Sequence, residues 1–114
     1  MNLSIPIIIC DENEEVRRLI KEMLIKNGFF HLVEAHTREE VTQLTATNHF
    51  IIIHKKLLDE NIKQQILRTK HYLIVAQNDD EDTAKLSAVF GVKHLISFPY
   101  TSRVLVEKIN SLLS

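Results

Sequence analysis

Glycine occurs twice in the 114 residues, at Gly28 and Gly91, proline twice and cysteine once. A single cysteine forms no internal disulfide. Positive charge is not in excess either: fourteen Lys and Arg stand against fifteen Asp and Glu, a formal charge of -1. Nothing in that balance would neutralise a run of phosphates or hold the chain on an anionic bilayer, which argues against nucleic acid binding by this domain alone and against a membrane partner. Long apolar runs are missing as well, none approaching the ~20 residues that cross a bilayer. The opening "MNLSIPIIICDENEE" has no basic start and turns acidic within a few residues of its apolar stretch, unlike a signal peptide. These absences point to a reduced, cytoplasmic setting.

What is present suits one compact core: 45% of the residues are hydrophobic and 25% charged, and the length is too short for two ordinary domains. Residues 1–114 are therefore expected to form a single domain. Short β-branched runs recur at Ile5–Cys10, His31–Ala35, Phe50–Ile53, Tyr72–Ala76 and His94–Ser97, and the first, third and fourth are almost wholly apolar, as strands buried on both faces are. Between them lie segments with helical spacing. Val16, Leu19, Ile20, Met23 and Leu24 form one stripe, closed by Asn27-Gly28, where glycine suits a left-handed cap. Thr37 with Glu40 makes a capping box ahead of Val41 and Leu44. Ile62, Ile66 and Leu67 mark a third helix, Ala84 and Ala88 a fourth ending near Gly91, and Val104, Leu105, Lys108, Ile109 and Leu112 a fifth.

Strands alternating with helices argue for a parallel sheet covered on both faces, because each parallel crossover supplies a covering helix. Pro6 is tolerable only at the entry of its strand, since inside it would cost a ladder hydrogen bond. Ligands of such sheets bind outside the carboxyl ends of the strands. Those ends are Cys10-Asp11-Glu12, His54-Lys55-Lys56, Ala76-Gln77-Asn78 and Phe98-Pro99. A phosphate-cradling loop would need glycines there, and neither glycine is so placed, which sets nucleotide binding aside.

Four stretches, "IIICDENEEVRRLIKEMLIKNGF", "FIIIHKK", "AVFGVKHLISFPY" and the amphipathic C-terminal segment, give the chain a resemblance to the receiver domain of bacterial two-component response regulators over essentially its whole length. The resemblance implies a doubly wound, flavodoxin-like (βα)5 domain with strand order 2-1-3-4-5. It also implies a magnesium site, a phosphoaccepting aspartate, and a hydroxyl residue, a lysine and an aromatic residue that relay the signal. At those positions this chain departs from the family. Cys10 followed by Asp11 replaces the acid pair that closes the first strand, with Glu12 beside them. His54 stands where the aspartate accepts phosphate. Ala76 replaces the hydroxyl residue, Phe98 replaces the lysine before Pro99, and Leu95 occupies the aromatic switch position. Ligand, acceptor, hydroxyl donor and counter-charge are removed together, so magnesium binding is expected to be weak or absent, and no cofactor and no enzymatic activity are expected. The resemblance is thus to a pseudo-receiver, with the Phe98-Pro99 peptide expected to be cis as in the family.

Each sharper reading has a plainer competitor. His54 as a phosphohistidine is weighed against a histidine that pairs with Asp11, an ion pair that would replace the metal and raise the histidine pKa. His31, His36, His49, His54, His71 and His94 lack metal-ligand spacing and read as scattered surface histidines. Cys10 reads as a small core residue rather than a redox sensor. "NDDED", Asn78 to Asp82, reads as a loop before a helix N-terminus rather than a calcium site.

With phosphotransfer lost, recognition remains. The face made by the fourth helix, fifth strand and fifth helix carries Val89, Lys93, His94, Tyr100 and Arg103, with Tyr100 either an exposed interface anchor or a residue packed across the strand-helix junction. The expected function is phosphorylation-independent signalling by contact with another signalling protein or by homodimerisation. The alternatives are a receiver that transfers phosphate through Asp11, Glu12 or Asp59, and a small-ligand sensor using the vacated pocket.

Overall fold

Ile7, Ile8 and Ile9 have no exposed surface, which is possible for consecutive strand residues only when both faces of the sheet are covered. In the computed structural model, which describes residues 4–44, 49–77 and 81–113, they lie at the centre of the molecule. The elements run β1 (Ile7–Cys10), α1 (Glu14–Lys26), β2 (Leu32–Ala35), α2 (Arg38–Leu44), β3 (Phe50–His54), α3 (Glu60–Leu67), β4 (Tyr72–Gln77), α4 (Thr83–Phe90), β5 (Leu95–Phe98) and α5 (Ser102–Leu113). Short 3-10 turns at Lys55–Leu57 and Val92–His94 lead out of β3 and into β5. The strands pair in parallel in the order β2-β1-β3-β4-β5, the doubly wound topology expected.

Period-two alternation sorts the strand residues onto two cores. Ile7, Ile9, Phe50, Ile52, Leu73, Val75 and Ile96 face α1 and α5. Ile8, Cys10, Ile51, Ile53, Tyr72, Ile74 and Leu95 face α2, α3 and α4. Pro6 lies just before β1, at the entry where its missing donor is tolerated, and its carbonyl accepts from the Phe50 N–H at 2.9 Å.

Local signals end the helices where they should. Asn13 caps α1 by accepting from the Glu15 and Val16 N–H groups. At the other end Gly28, at φ 89°, lets Phe29 N–H reach Leu24 O (3.0 Å) and Gly28 N–H reach Ile25 O (3.1 Å), the paired closure of a Schellman motif. The capping box at α2 forms with a shift of one residue. Thr37 Oγ1 accepts from Glu40 N–H at 3.2 Å, while Glu40 Oε1 reaches back to His36 N–H at 3.0 Å.

Several helical positions turn outward against the sequence expectation. Leu19, Leu67 and Val104 are exposed, and the inward residues of α1 and α5 are Ile20 and Leu24, and Leu105, Val106, Ile109 and Leu112. Ala84 and Ala88 of α4 are exposed too. That helix is held by Phe90 and partly by Leu86, so the alanine pair marked the solvent side rather than the core.

Candidate functional site

The carboxyl ends of β1, β3, β4 and β5 surround an open cleft of about 380 Å³. The same alternation that sorts the core decides which strand-end residues reach it. Asp11 continues the series Ile7, Ile9; His54 continues Phe50, Ile52; Gln77 continues Leu73, Val75; and Phe98 follows Ile96. All of these line the cleft, together with Glu12 and Asn13. Val16 of α1, with Lys56 and Leu57 of the turn after β3, completes the wall. The backbone fixes Asp11, since its N–H extends the β1–β2 ladder to Ala35 O at 3.1 Å.

Cys10 and Ala76 belong to the opposite set. Both are buried, and neither lines the cleft. Burial, reinforced by the charges of Asp11 and Glu40, pushes the Cys10 thiol up to about 12, so it stays a protonated core side chain. Leu95 is buried in the core beneath α4. The Phe98-Pro99 peptide is cis, as expected.

The expected ion pair between Asp11 and His54 does not form. His54 Nδ1 accepts from Lys56 N–H at 3.2 Å, and Asp11 Oδ1 accepts from Asn13 N–H at 2.8 Å. The histidine pKa is lowered rather than raised: loss of solvation dominates, and the pull of Asp11 is opposed by Lys56 and Lys55. Lys55 itself contacts Asp82 at 3.3 Å, tying the end of β3 to the start of α4. The remainder of the "NDDED" loop, Asn78–Asp80, lies outside the described residues.

Asp59, weighed as an alternative phosphoacceptor, is the N-cap of α3 and accepts from Ile62 N–H at 2.8 Å, away from the cleft. Arg38 holds the intervening turn, donating to Lys56 O (2.8 Å) and Leu57 O (3.2 Å). On the other side Arg17 donates to Asp11 O at 2.7 Å and pairs with Glu34 at 3.0 Å, and Lys21 also reaches Glu34 at 3.1 Å. The two cations hold the Glu34 carboxyl below its usual range.

The oxygen donors of the cleft are few. Asp11 is the one buried carboxylate among the described residues, Glu12 is exposed, Cys10 faces away, and the Nδ1 of His54 is already engaged. No group of three His, Cys, Asp or Glu among the described residues is placed to hold a metal.

Two residues of the expected partner surface sit elsewhere. His94 is only 7% exposed; its ring stacks on Tyr72 at 4.0 Å and its Nδ1 lies 2.9 Å from Tyr72 O, so it serves the core and is not a surface histidine. Tyr100 packs against the α1/α5 core and meets Phe98 edge-on at 6.0 Å. Burial and the nearby Asp11 charge push its hydroxyl up to about 12. Of the two readings of Tyr100, the junction is the one observed. Val89, Lys93 and Arg103 are exposed, Val89 by 54%. The cleft residues that sequence reasoning missed are Asn13, Val16, Leu57 and Val75. The helix cap preceding two glutamates and the strand alternation were the signals that could have found them.

No family model matches the chain, and no curated protein matches it. Solved structures do. A response regulator receiver domain from Clostridium thermocellum is similar at a TM-score of 0.76 with 19% identity, covering 96% of this chain and 94% of that one. The N-terminal domain of the nisin resistance regulator NsrR, a lantibiotic response regulator, matches at 0.74 and 17%, covering 97% and 99%. The receiver domain of Saccharomyces cerevisiae Ssk1, solved with the histidine phosphotransfer protein Ypd1, matches at 0.72 and 16%, covering 95% and 88%. At these identities what is shared is the backbone, and the chain has the flavodoxin-like fold of response-regulator receiver domains.

Proposed function

We infer that the chain is a signalling module of the response-regulator type that works without phosphotransfer, by contact with another signalling protein or with a second copy of itself. The observation that carries this reading is His54: at the carboxyl end of β3, beside a single buried carboxylate, stands a ring that loss of solvation keeps neutral and whose Nδ1 is bonded to the backbone. Phosphoryl transfer to a side chain needs an acceptor and positive charge placed to stabilise it; here His54 holds the acceptor's place and Phe98 the lysine's, and Lys56 is the lysine of the wall.

The surface that supports the recognition half of the reading lies on α4, β5 and α5. Val89 and Lys93 are exposed there, with the neighbouring Val92 exposed by 73%. Arg103 stands at the start of α5, paired along the helix with Glu107. Exposed valines with a neighbouring lysine suit a partner presenting apolar and acidic groups.

Incubation with acetyl phosphate and magnesium, followed by intact-mass measurement, tests the absence of phosphotransfer. An unchanged mass is the expected result, and a gain of one phosphoryl group would return the chain to the phosphate-dependent class.

A further inference from the structure

The sheet has two edge strands, β2 and β5, and they end differently. Ile7 and Asp11 donate their N–H groups to His31 O and Ala35 O, so by the two-residue period the N–H and C=O groups of Leu32 and Glu34 point out of the sheet. Neither N–H meets an acceptor among the described residues. The next outward donor, His36 N–H, is taken by Glu40 Oε1 at 3.0 Å, which closes the open stretch. On β5 the outward residues are Leu95 and Ser97, followed by Pro99. Leu95 N–H turns back to Val92 O and Pro99 has no N–H, so that edge is blunted in the way that keeps sheets from pairing. Leu32–Ala35 carries no lysine and no proline to the same end.

We propose that the β2 edge docks on the β2 edge of a second copy of this chain, antiparallel, about a two-fold axis at Val33. Two outward residues spaced two apart are self-complementary in that arrangement. Leu32 comes opposite Glu34 of the second copy on both sides of the axis, the two exchange both of their hydrogen bonds, and no outward N–H of either strand is left over. An axis at Leu32 would instead require Phe30, which precedes the strand. On the axis the two half-buried Val33 side chains meet. Phe30, 68% exposed, comes level with the exposed His36 of the second copy and gives the contact an apolar flank. Glutamates brought together across an edge ordinarily repel, but each Glu34 arrives with its own cations, Arg17 at 3.0 Å and Lys21 at 3.1 Å. This contact goes beyond the signalling surface, which lies at the other edge of the sheet and would face outward twice in the pair. Uptake of a phosphoryl group would overturn the phosphate-free reading and leave the β2 contact untouched.

Amide exchange of the ¹⁵N-labelled protein at two concentrations provides the test. Exchange at Leu32 and Glu34 should slow about four-fold between ~10 µM and ~1 mM, as a dissociation constant on the order of 100 µM dictates for so small an interface. The Ser97 amide, at the blunted edge, should not change. A mixture of ¹³C-labelled and unlabelled chains should show a filtered NOE between the Val33 methyls of the two copies. Glu34→Pro removes an outward donor and spares the β1–β2 ladder, and it should abolish the concentration dependence. Glu34→Ala loses the same carboxylate but keeps the N–H, and should retain it. Phe30→Ala, at an exposed position, should weaken the pairing without touching the core. Unchanged exchange at Leu32 and Glu34 up to ~1 mM, pairing that persists in folded Glu34→Pro, or protection that grows at Ser97 or along α4 instead would each overturn the proposal. Should Glu34→Pro fail to fold, exchange in the unaltered chain and the Val33 contact decide.

Discussion

On one face of the sheet α1 and α5, 13 and 12 residues long, drive Ile20 and Leu24, and Leu105, Val106, Ile109 and Leu112, into the core. On the other face α2, α3 and α4 are 7, 8 and 8 residues long, and among the described residues α2 and α4 each commit one buried side chain, Val41 and Phe90. The sheet between them is equally apolar on both sides, so the difference lies in the helices. Apolar burial is what holds a helix to a sheet, and a helix that commits little of it is free to present the rest to solvent or to a partner. α3, with Ile62 and Ile66, buries as many side chains as α1, so the thinly held elements are α2 and α4, and α4 is the one that exposes Val89.

Deletions of equal size on the two layers should separate them. Leu24→Ala, at a site with no exposed surface, is expected to cost about 3 kcal/mol in urea unfolding. Leu86→Ala on α4, where the side chain is only partly buried, should cost about 1 kcal/mol. Equal losses would erase the distinction. Asp59→Ala removes the cap of α3 and should also cost about 1 kcal/mol.

A smaller effect comes from His54. Its folded pKa lies below the ordinary value of 6.5, so between the two values the unfolded chain binds the extra proton. The stability associated with the neutral ring is thus complete above pH 6.5 and is lost as the pH falls toward the folded pKa. His54→Asn should flatten the change in urea midpoint between pH 7.5 and pH 5.5; an unchanged slope would place the dependence on other groups. Val89→Ala should be the mildest change to stability, within about 0.5 kcal/mol, while weakening self-association or partner binding measured by sedimentation.

The architecture was legible from the chain because the apolar strands, Gly28 and the Thr37–Glu40 pair each act locally, and strand limits differ by one or two residues. The candidate site was legible only in part. Asp11, Glu12, His54 and Phe98 were placed together through the strand ends, yet Cys10 and Ala76, adjacent to them in sequence, turn to the other face by the two-residue period. His94 illustrates the harder case. Its burial depends on Tyr72, 22 residues earlier, offering both a ring face and a carbonyl, a pairing that no window of sequence displays. The neutral state of His54 was hidden for a related reason, since it follows from solvation and from the turn that brings the Lys56 N–H to Nδ1.

β1 is an interior strand, one in from the β2 edge. Its residues are hydrogen-bonded into a ladder with β2 on one side and β3 on the other, at Ile8↔Val33 and Ile8↔Ile51 for instance, and three successive isoleucines have no surface at all. The N–H groups of Ile7 and Asp11 point to the edge strand β2, so by the two-residue period that of Ile8 points inward to β3, and solvent deuterium reaches it only when the interior of the sheet opens. The exchange rate of the Ile8 amide thus reports opening of the sheet interior, and any ligand that stabilises the native state will slow it by the factor its occupancy dictates.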